Sequence, residues 1–92
     1  MISLQLSRQA QKFIAKLPPK QRRQVVSQIY ALRDDPFPHD SKAMKGYAPF
    51  FRIDIGEYRA IYKVVNNDQL ILVAVVGKRN DDEVYRILKR KA

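Results

Sequence analysis

The stretch Leu70–Val76, "LILVAVV", puts seven apolar residues in a row within a chain of 92. Turn-forming "NND" precedes it and Gly77 follows it. A short apolar run bounded in this way reads as a strand buried on both faces, because alternation disappears when neither face meets water.

The segments before it alternate. "FFRIDI" directs Phe51, Ile53 and Ile55 to one face and Arg52 and Asp54 to the other. Gly56-Glu57 is a two-residue link whose leading glycine suits a type II′ hairpin turn. "YRAIYKVV" is the return strand. So short a link predicts Ile55 opposite Tyr58, Asp54 opposite Arg59 and Arg52 opposite Ile61. Nearer the N-terminus, "ISLQL" alternates as a half-buried strand does. Ser7 can cap a helix whose apolar stripe is Ala10, Phe13, Ile14 and Leu17. Pro18-Pro19 ends that helix, and Pro19 suits the first turn of a second one. There Val25, Ile29 and Leu32 face inward and Arg22, Arg23 and Arg33 face water. "DDPFPHD" stops it.

After Gly77, which reads as the strand's end, Asn80 or Asp81 can cap a last helix. Its stripe is Val84, Ile87, Leu88 and the aliphatic stem of Lys91. The expected order is β-α-α-β-β-β-α, an α+β fold: N-terminal strand, helical hairpin, antiparallel three-strand meander and C-terminal helix. The helices are expected on one side of a mainly antiparallel sheet. A single domain spanning 1–92 is expected, since chains divide only beyond about 250 residues.

Charge narrows the class of partner. Lys and Arg number 18 against 9 Asp and Glu, a net of +9. The first 33 residues carry Arg8, Lys12, Lys16, Lys20, Arg22, Arg23 and Arg33 and no acid. Such a field favours a polyanion, although a basic surface with no specific partner has the same composition. There is no cysteine, which excludes disulfides, thiolate metal sites and a cysteine nucleophile. No apolar run approaches the roughly 18–20 residues that span a bilayer. The N-terminus lacks the features of a signal peptide, so no membrane association and a cytoplasmic location are expected.

One stretch concentrates chemistry: "GKRNDDEVYR", residues 77 to 86. Arg79 leaves the end of the apolar strand. Tyr85 sits about 100° round the helix from Val84, so its ring borders the stripe while its hydroxyl reaches out. With Arg52 and Arg59 on the neighbouring strands, one sheet face would carry three guanidiniums with a phenol at its rim. Arginine binds phosphate bidentately and stays charged, and fixed donors of this kind stabilise a developing phosphorane. Each residue also has a plainer use. Arg59 opposite Asp54 can be an ordinary cross-strand ion pair, worth about 0–1 kcal/mol at a surface. Tyr85 can be a packing residue, and Arg79 a solvated strand end. Asp81, Asp82 and Glu83 read as capping acids rather than metal ligands. His39, the lone histidine, reads as a loop residue.

The segment "KGYAPFFRIDIGEYRAIYKVVNNDQLILVAVVGKRNDDEVYR", following a strand and a helical hairpin, resembles the RelE family of toxin–antitoxin toxins. "YRAIYKV" and "VGKRNDDEVYR" are its most specific parts, and the resemblance spans essentially the whole chain. It implies the toxin of a type II toxin–antitoxin system, a ribosome-dependent endoribonuclease that cuts messenger RNA in the ribosomal A site and inhibits translation. The implied reaction uses neither metal nor cofactor. Carried over by position, Arg59 matches a transition-state arginine and Arg79 an arginine near the leaving oxygen. Tyr85 matches a tyrosine that orients or activates the nucleophile, and Arg52 a basic strand position where lysine is common. Asp54 departs from the pattern, which has a second lysine there. Arg8, Lys12, Lys16, Lys20, Arg22, Arg23, Lys42, Lys45 and Lys78 are the bases available to ribosomal RNA. A RelB-like antitoxin with an acidic toxin-binding segment is the implied protein partner. The superfamily also holds ParE-like proteins that inhibit DNA gyrase by binding and generally lack the Arg/Arg/Tyr set. An RNA-binding module that does not cleave is a third reading.

Overall fold

The apolar run lies within a nine-residue strand, β5 (Leu70–Lys78), one place from the middle of the sheet. The computed structural model describes residues 2–65, 67–79 and 83–91. In chain order the remaining elements are β1 (Ser3–Leu6), α1 (Arg8–Ala15), α2 (Pro19–Ala31), β2 (Lys42–Ala43), β3 (Phe51–Ile55), β4 (Tyr58–Val65) and α3 (Glu83–Lys91). The five strands are ordered β1-β5-β4-β3-β2. β1 runs parallel to β5, and the other pairings are antiparallel. The α+β class, the helical hairpin and the β3-β4-β5 meander are all as expected. The proposed caps at Asn80 and Asp81, and the roles of Asp82 and the Glu83 side chain, lie outside the described residues.

The helices are not on one side. Ala10 and Ile14 of α1 and Val25 and Ile29 of α2 pack with Ile53, Ile55, Ala60, Tyr62, Ile71, Val73 and Val76. Val84 and Leu88 of α3 instead pack with Met44, Ile61 and Val75, in a separate cluster. Strand β4 sorts the two faces: Ala60 and Tyr62 belong to the first cluster and Ile61 to the second. The correction has a simple cause. A strand apolar on both faces has to be covered on both, and one helical layer covers only one.

A two-residue strand, β2, was not anticipated, since two residues carry no readable alternation. It pairs Lys42 with Arg52 and Ala43 with Phe51 at the sheet edge. Strand β5 also runs one residue past Gly77, and the Arg79 N–H then donates to the Glu57 carbonyl at 3.1 Å. Within β5, Ile61 pairs with Val75 and Tyr62 with Val73, so Ala74 is an extra residue, a β-bulge. Ile71 and Val73 face α1 and α2 before it; after it Val76 takes that side and Val75 faces α3.

The start of α1 is tied to this irregularity. The Ser7 hydroxyl accepts from the Ala10 N–H at 3.1 Å, the N-cap bond expected of serine. It also donates to the Ala74 carbonyl at 2.6 Å. Where β1 stops, the Gln9 side-chain amide takes over as the neighbour of β5. Its Nε2 donates to the Val76 carbonyl at 2.8 Å, and its Oε1 accepts from the Val76 N–H at 3.0 Å. On the long connection, the Tyr62 hydroxyl donates to the Pro36 carbonyl at 2.6 Å, and burial pushes that phenol's pKa up. Among the described residues, no helix is long and apolar enough to cross a membrane.

Candidate active site

The site begins with the hairpin. Gly56 has φ +60°, a backbone region that glycine occupies without strain. The two-residue link sets the register as expected: Ile55 with Tyr58, Asp54 with Arg59, Arg52 with Ile61. Asp54 and Arg59 therefore stand side by side on the face that carries α3.

Arg59 is held on two sides. Its Nε donates to Asp54 Oδ1 at 2.6 Å and its Nη2 to Asp54 Oδ2 at 3.3 Å. Its Nη1 donates to the Tyr85 hydroxyl at 3.2 Å. Only 12% of its side chain is exposed, against 37% of Asp54. Arg79 approaches the same carboxylate more loosely, with Nη1 3.7 Å from Oδ2 and half of its side chain in solvent. The Arg59 hydrogen bond holds the Asp54 carboxyl below the usual carboxylate range. Burial opposes this, and the charges of Arg59, Arg52 and Arg79 reinforce it. The same bond raises the Arg59 pKa further, so the guanidinium is permanently charged.

Tyr85 is placed by the packing of α3. Val84 and Leu88 anchor the helix in the cluster with Ile61 and Val75, and Tyr85 packs at its margin. The Arg59 guanidinium lies 5.9 Å from the centroid of its ring. Tyr47 contributes a second ring at 6.2 Å, tilted by 54°. Sequence reasoning did not single out Tyr47. The available signal was an aromatic next to a turn glycine in "KGYAP": Gly46 has φ +82°, and backbone hydrogen bonds from Tyr47 to Met44 and from Phe50 to Tyr47 close the loop.

Arg52 lies in the same face, within electrostatic reach of Asp54. Together with Asp40, Lys42 and Asp54 it lines a small pocket of about 50 Å³. Arg52, Arg59, Arg79 and Tyr85 are thus brought together, with Lys42 beside them and Lys78 exposed at the end of β5. Lys45 is exposed on the loop after β2. Arg8, Lys12, Lys16, Lys20, Arg22 and Arg23 are not part of this cluster. They ride on α1, on its C-cap Lys16 and on α2, across the sheet from Arg59. Among the described residues, no three His, Asp or Glu side chains group as metal ligands would.

Chemically, the arrangement is a phenol and three guanidiniums around one carboxylate. Arg59 engages the Tyr85 hydroxyl oxygen as an acceptor and so does not use the phenol's proton. Fixed donors, and a phenol whose hydroxyl Arg59 engages only at the oxygen, suit an anionic substrate too large to be enclosed.

Comparison with known proteins agrees with the fold. The family model of the ParE toxin of the type II toxin–antitoxin system ParDE matches residues 4–83. The toxin RelE1 of Methanocaldococcus jannaschii is 26% identical over 80 residues, which cover 84% of this chain and 89% of that protein. Free RelE of Escherichia coli, in a variant form, superposes with a TM-score of 0.79 at 24% identity, covering 99% of this chain and 98% of that one. RelE in the Pyrococcus horikoshii RelE–RelB complex gives 0.75 at 24% identity, covering 87% and 97%. The chain belongs to this family of type II toxins, in the RelE/ParE superfamily. The family match takes in Arg52, Arg59 and Arg79 and ends two residues before Tyr85.

Proposed function

We propose that this toxin is a ribosome-dependent endoribonuclease that cuts messenger RNA in the A site and so stops translation. The observation that carries the reading is the bond from Arg59 to the Tyr85 hydroxyl, at a carboxylate that Arg79 also approaches. In the reaction, the 2′-hydroxyl loses its proton and its oxygen attacks the adjacent 3′-phosphate. The bond from phosphorus to the 5′-oxygen of the next nucleotide breaks, and that oxygen takes up a proton. The products are a 2′,3′-cyclic phosphate and a 5′-hydroxyl end. Arg59 stabilises charge on the non-bridging oxygens, and Arg79 acts near the leaving oxygen. Tyr85 orients the nucleophile and offers its ring to a base, with Arg52 holding a neighbouring phosphate. The arginines supply the positive charge, so the reaction calls for neither metal nor cofactor.

The bases of α1 and α2 lie on the far side of the sheet. In this reading they, with Lys42, Lys45 and Lys78, dock on ribosomal RNA phosphates, which orient the protein without reading sequence. The place of action is the cytoplasm. RelE is bound to RelB in the Pyrococcus horikoshii complex. By analogy, a RelB-like antitoxin with an acidic segment covers the basic surface or displaces α3, taking Tyr85 out of the site.

A second reading takes its support from the match to the ParE toxin family model: a toxin that inhibits DNA gyrase by binding, without cutting RNA. Primer extension on a translating messenger RNA separates the two, run with and without ribosomes on wild type, Arg79→Ala and Tyr85→Phe. Ribosome-dependent cuts that vanish in the variants support the nuclease. Intact RNA in every lane, with inhibited supercoiling by gyrase, supports the second reading. Salt-sensitive RNA binding with neither effect leaves a binding module.

A further inference from the structure

Asp54 occupies an unusual place for an acid. It stands within the cationic cluster, with both carboxylate oxygens turned to guanidiniums: Oδ1 to Arg59 Nε and Oδ2 to Arg59 Nη2 and Arg79 Nη1. Two oxygens on one centre, bridged by a fork of N–H donors, reproduce how arginine grips a phosphodiester. The hairpin imposes this position, because a two-residue link leaves Asp54 no alternative to facing Arg59. The two arginines differ in how firmly they are held. Arg59 is half-buried and bonded to both Asp54 and Tyr85. Arg79 is half exposed and beyond hydrogen-bond distance.

We propose that Asp54 is a resident anion standing in for substrate phosphate, fixing Arg59 and neutralising Arg79 until a phosphodiester displaces it from Arg79. Asp54 is then a positioning residue that sets affinity. It lowers the attraction of the free toxin for RNA while keeping the half-buried Arg59 aimed at Tyr85. The proposal rests on the reading of this cluster as a phosphodiester site, and its first measurement is independent of cleavage.

The probe is a short 2′-O-methyl RNA oligonucleotide, which cannot be cut by its own 2′-oxygen. Its binding is followed by fluorescence anisotropy across a salt series for wild type, Asp54→Asn, Arg79→Ala and the double variant. Freeing the Arg79 charge to sit a few ångströms from the bound phosphate is expected to tighten binding on the order of fivefold, from the Coulomb interaction screened by water. The plot of log affinity against log salt should steepen by about 0.7, one further phosphate neutralised on a single strand. Arg79→Ala alone should bind more weakly than wild type, having lost the guanidinium that the phosphodiester takes over, and both gains should vanish when the double variant is compared with Arg79→Ala. Where ribosome-dependent cleavage is measurable, Asp54→Asn should lower KM without raising kcat, because the amide grips Arg59 less firmly.

Unchanged or weaker binding by Asp54→Asn overturns the proposal, as does a gain that survives loss of Arg79, or no binding by any of the proteins. Asp54→Ser, which keeps an acceptor for Arg59, replaces Asp54→Asn if the amide misfolds. A tighter-binding Asp54→Asn in a protein that cuts no RNA would leave this inference standing and remove the nuclease reading.

Discussion

The Arg59 guanidinium donates to the Tyr85 hydroxyl at 3.2 Å while lying 5.9 Å from the centre of the same ring. One arginine thus holds the phenol through both its oxygen and its π-system. Tyr85→Phe removes the first hold and keeps most of the second, along with the contact to Tyr47. Cleavage should fall about 100-fold or more if the phenol's proton takes part in the reaction. Folding stability should fall by about 1 kcal/mol, the worth of one hydrogen bond. Primer extension and thermal unfolding of the same preparations check both figures. Undiminished cleavage by Tyr85→Phe would remove the hydroxyl from the mechanism.

Acid should weaken the fold partly through Asp54. Its carboxyl titrates below the ordinary value because Arg59 bonds to the charged form. A depressed native pKa contributes stability that is fully present above the unfolded value of about 3.9 and is lost as pH falls through the native one. With Asp54 more than a third exposed, solvent screening keeps the contribution below about 1 kcal/mol. Urea midpoints at pH 7 and pH 2.5 should therefore show wild type ahead of Asp54→Asn at neutrality, with the gap closing in acid. A constant gap would mean that the ionised carboxylate adds nothing.

The two-way bond between Gln9 and Val76 predicts a purely structural effect. Gln9→Ala strips partners from one backbone N–H and one carbonyl on the part of β5 that β1 does not reach. Partly buried groups left in this way cost about 1–3 kcal/mol. For a domain of this size, each 1 kcal/mol lowers Tm by roughly 4–8 °C. Differential scanning calorimetry should show that loss, and hydrogen exchange at Val76 should quicken more than at Ile71.

Gly56 couples stability to the site. A Cβ there would adopt φ +60° and come within 3.3 Å of the Gln24 side-chain amide. The amide is the end of a flexible side chain and can give way; the backbone strain cannot be relieved. Gly56→Ala should cost about 1–2 kcal/mol, and Gly56→Asn less, since asparagine tolerates this region. Chemical denaturation ranks the three proteins. Equal stability of Gly56→Ala and wild type would mean that the hairpin has another conformation open to it.

Much of the site was legible because a two-residue link leaves little freedom. Once Gly56-Glu57 is read as a turn, the pairing of Asp54 with Arg59 follows from counting, and the structure has that pairing. Ala10, Ile14, Val25 and Ile29 were legible for a similar reason: a helical period repeated over two turns or more specifies a face. The side taken by α3 was harder. Its stripe at Val84 and Leu88 shows which way the helix faces but not which layer receives it, and only the unbroken apolar run of β5 held that information. Lys42 and Ala43 gave no period at all. Tyr47 meets Tyr85 through a loop, and contacts between a loop and a helix distant in sequence leave no spacing to count.

The bulge at Ala74 has a reach well beyond its own position. Side chains along a strand alternate like a two-beat measure, and an inserted beat reverses everything after it. Upstream, the odd-numbered Ile71 and Val73 belong to the layer of α1 and α2. Downstream, the odd-numbered Val75 and Gly77 sit opposite Ile61 and Arg59, and Arg79 keeps step with them. Without the inserted beat, the same sequence would deliver Arg79 beneath the helical hairpin, with the full width of the sheet between it and Tyr85. The meeting of the two arginines is thus a matter of phase, decided at an alanine five residues earlier.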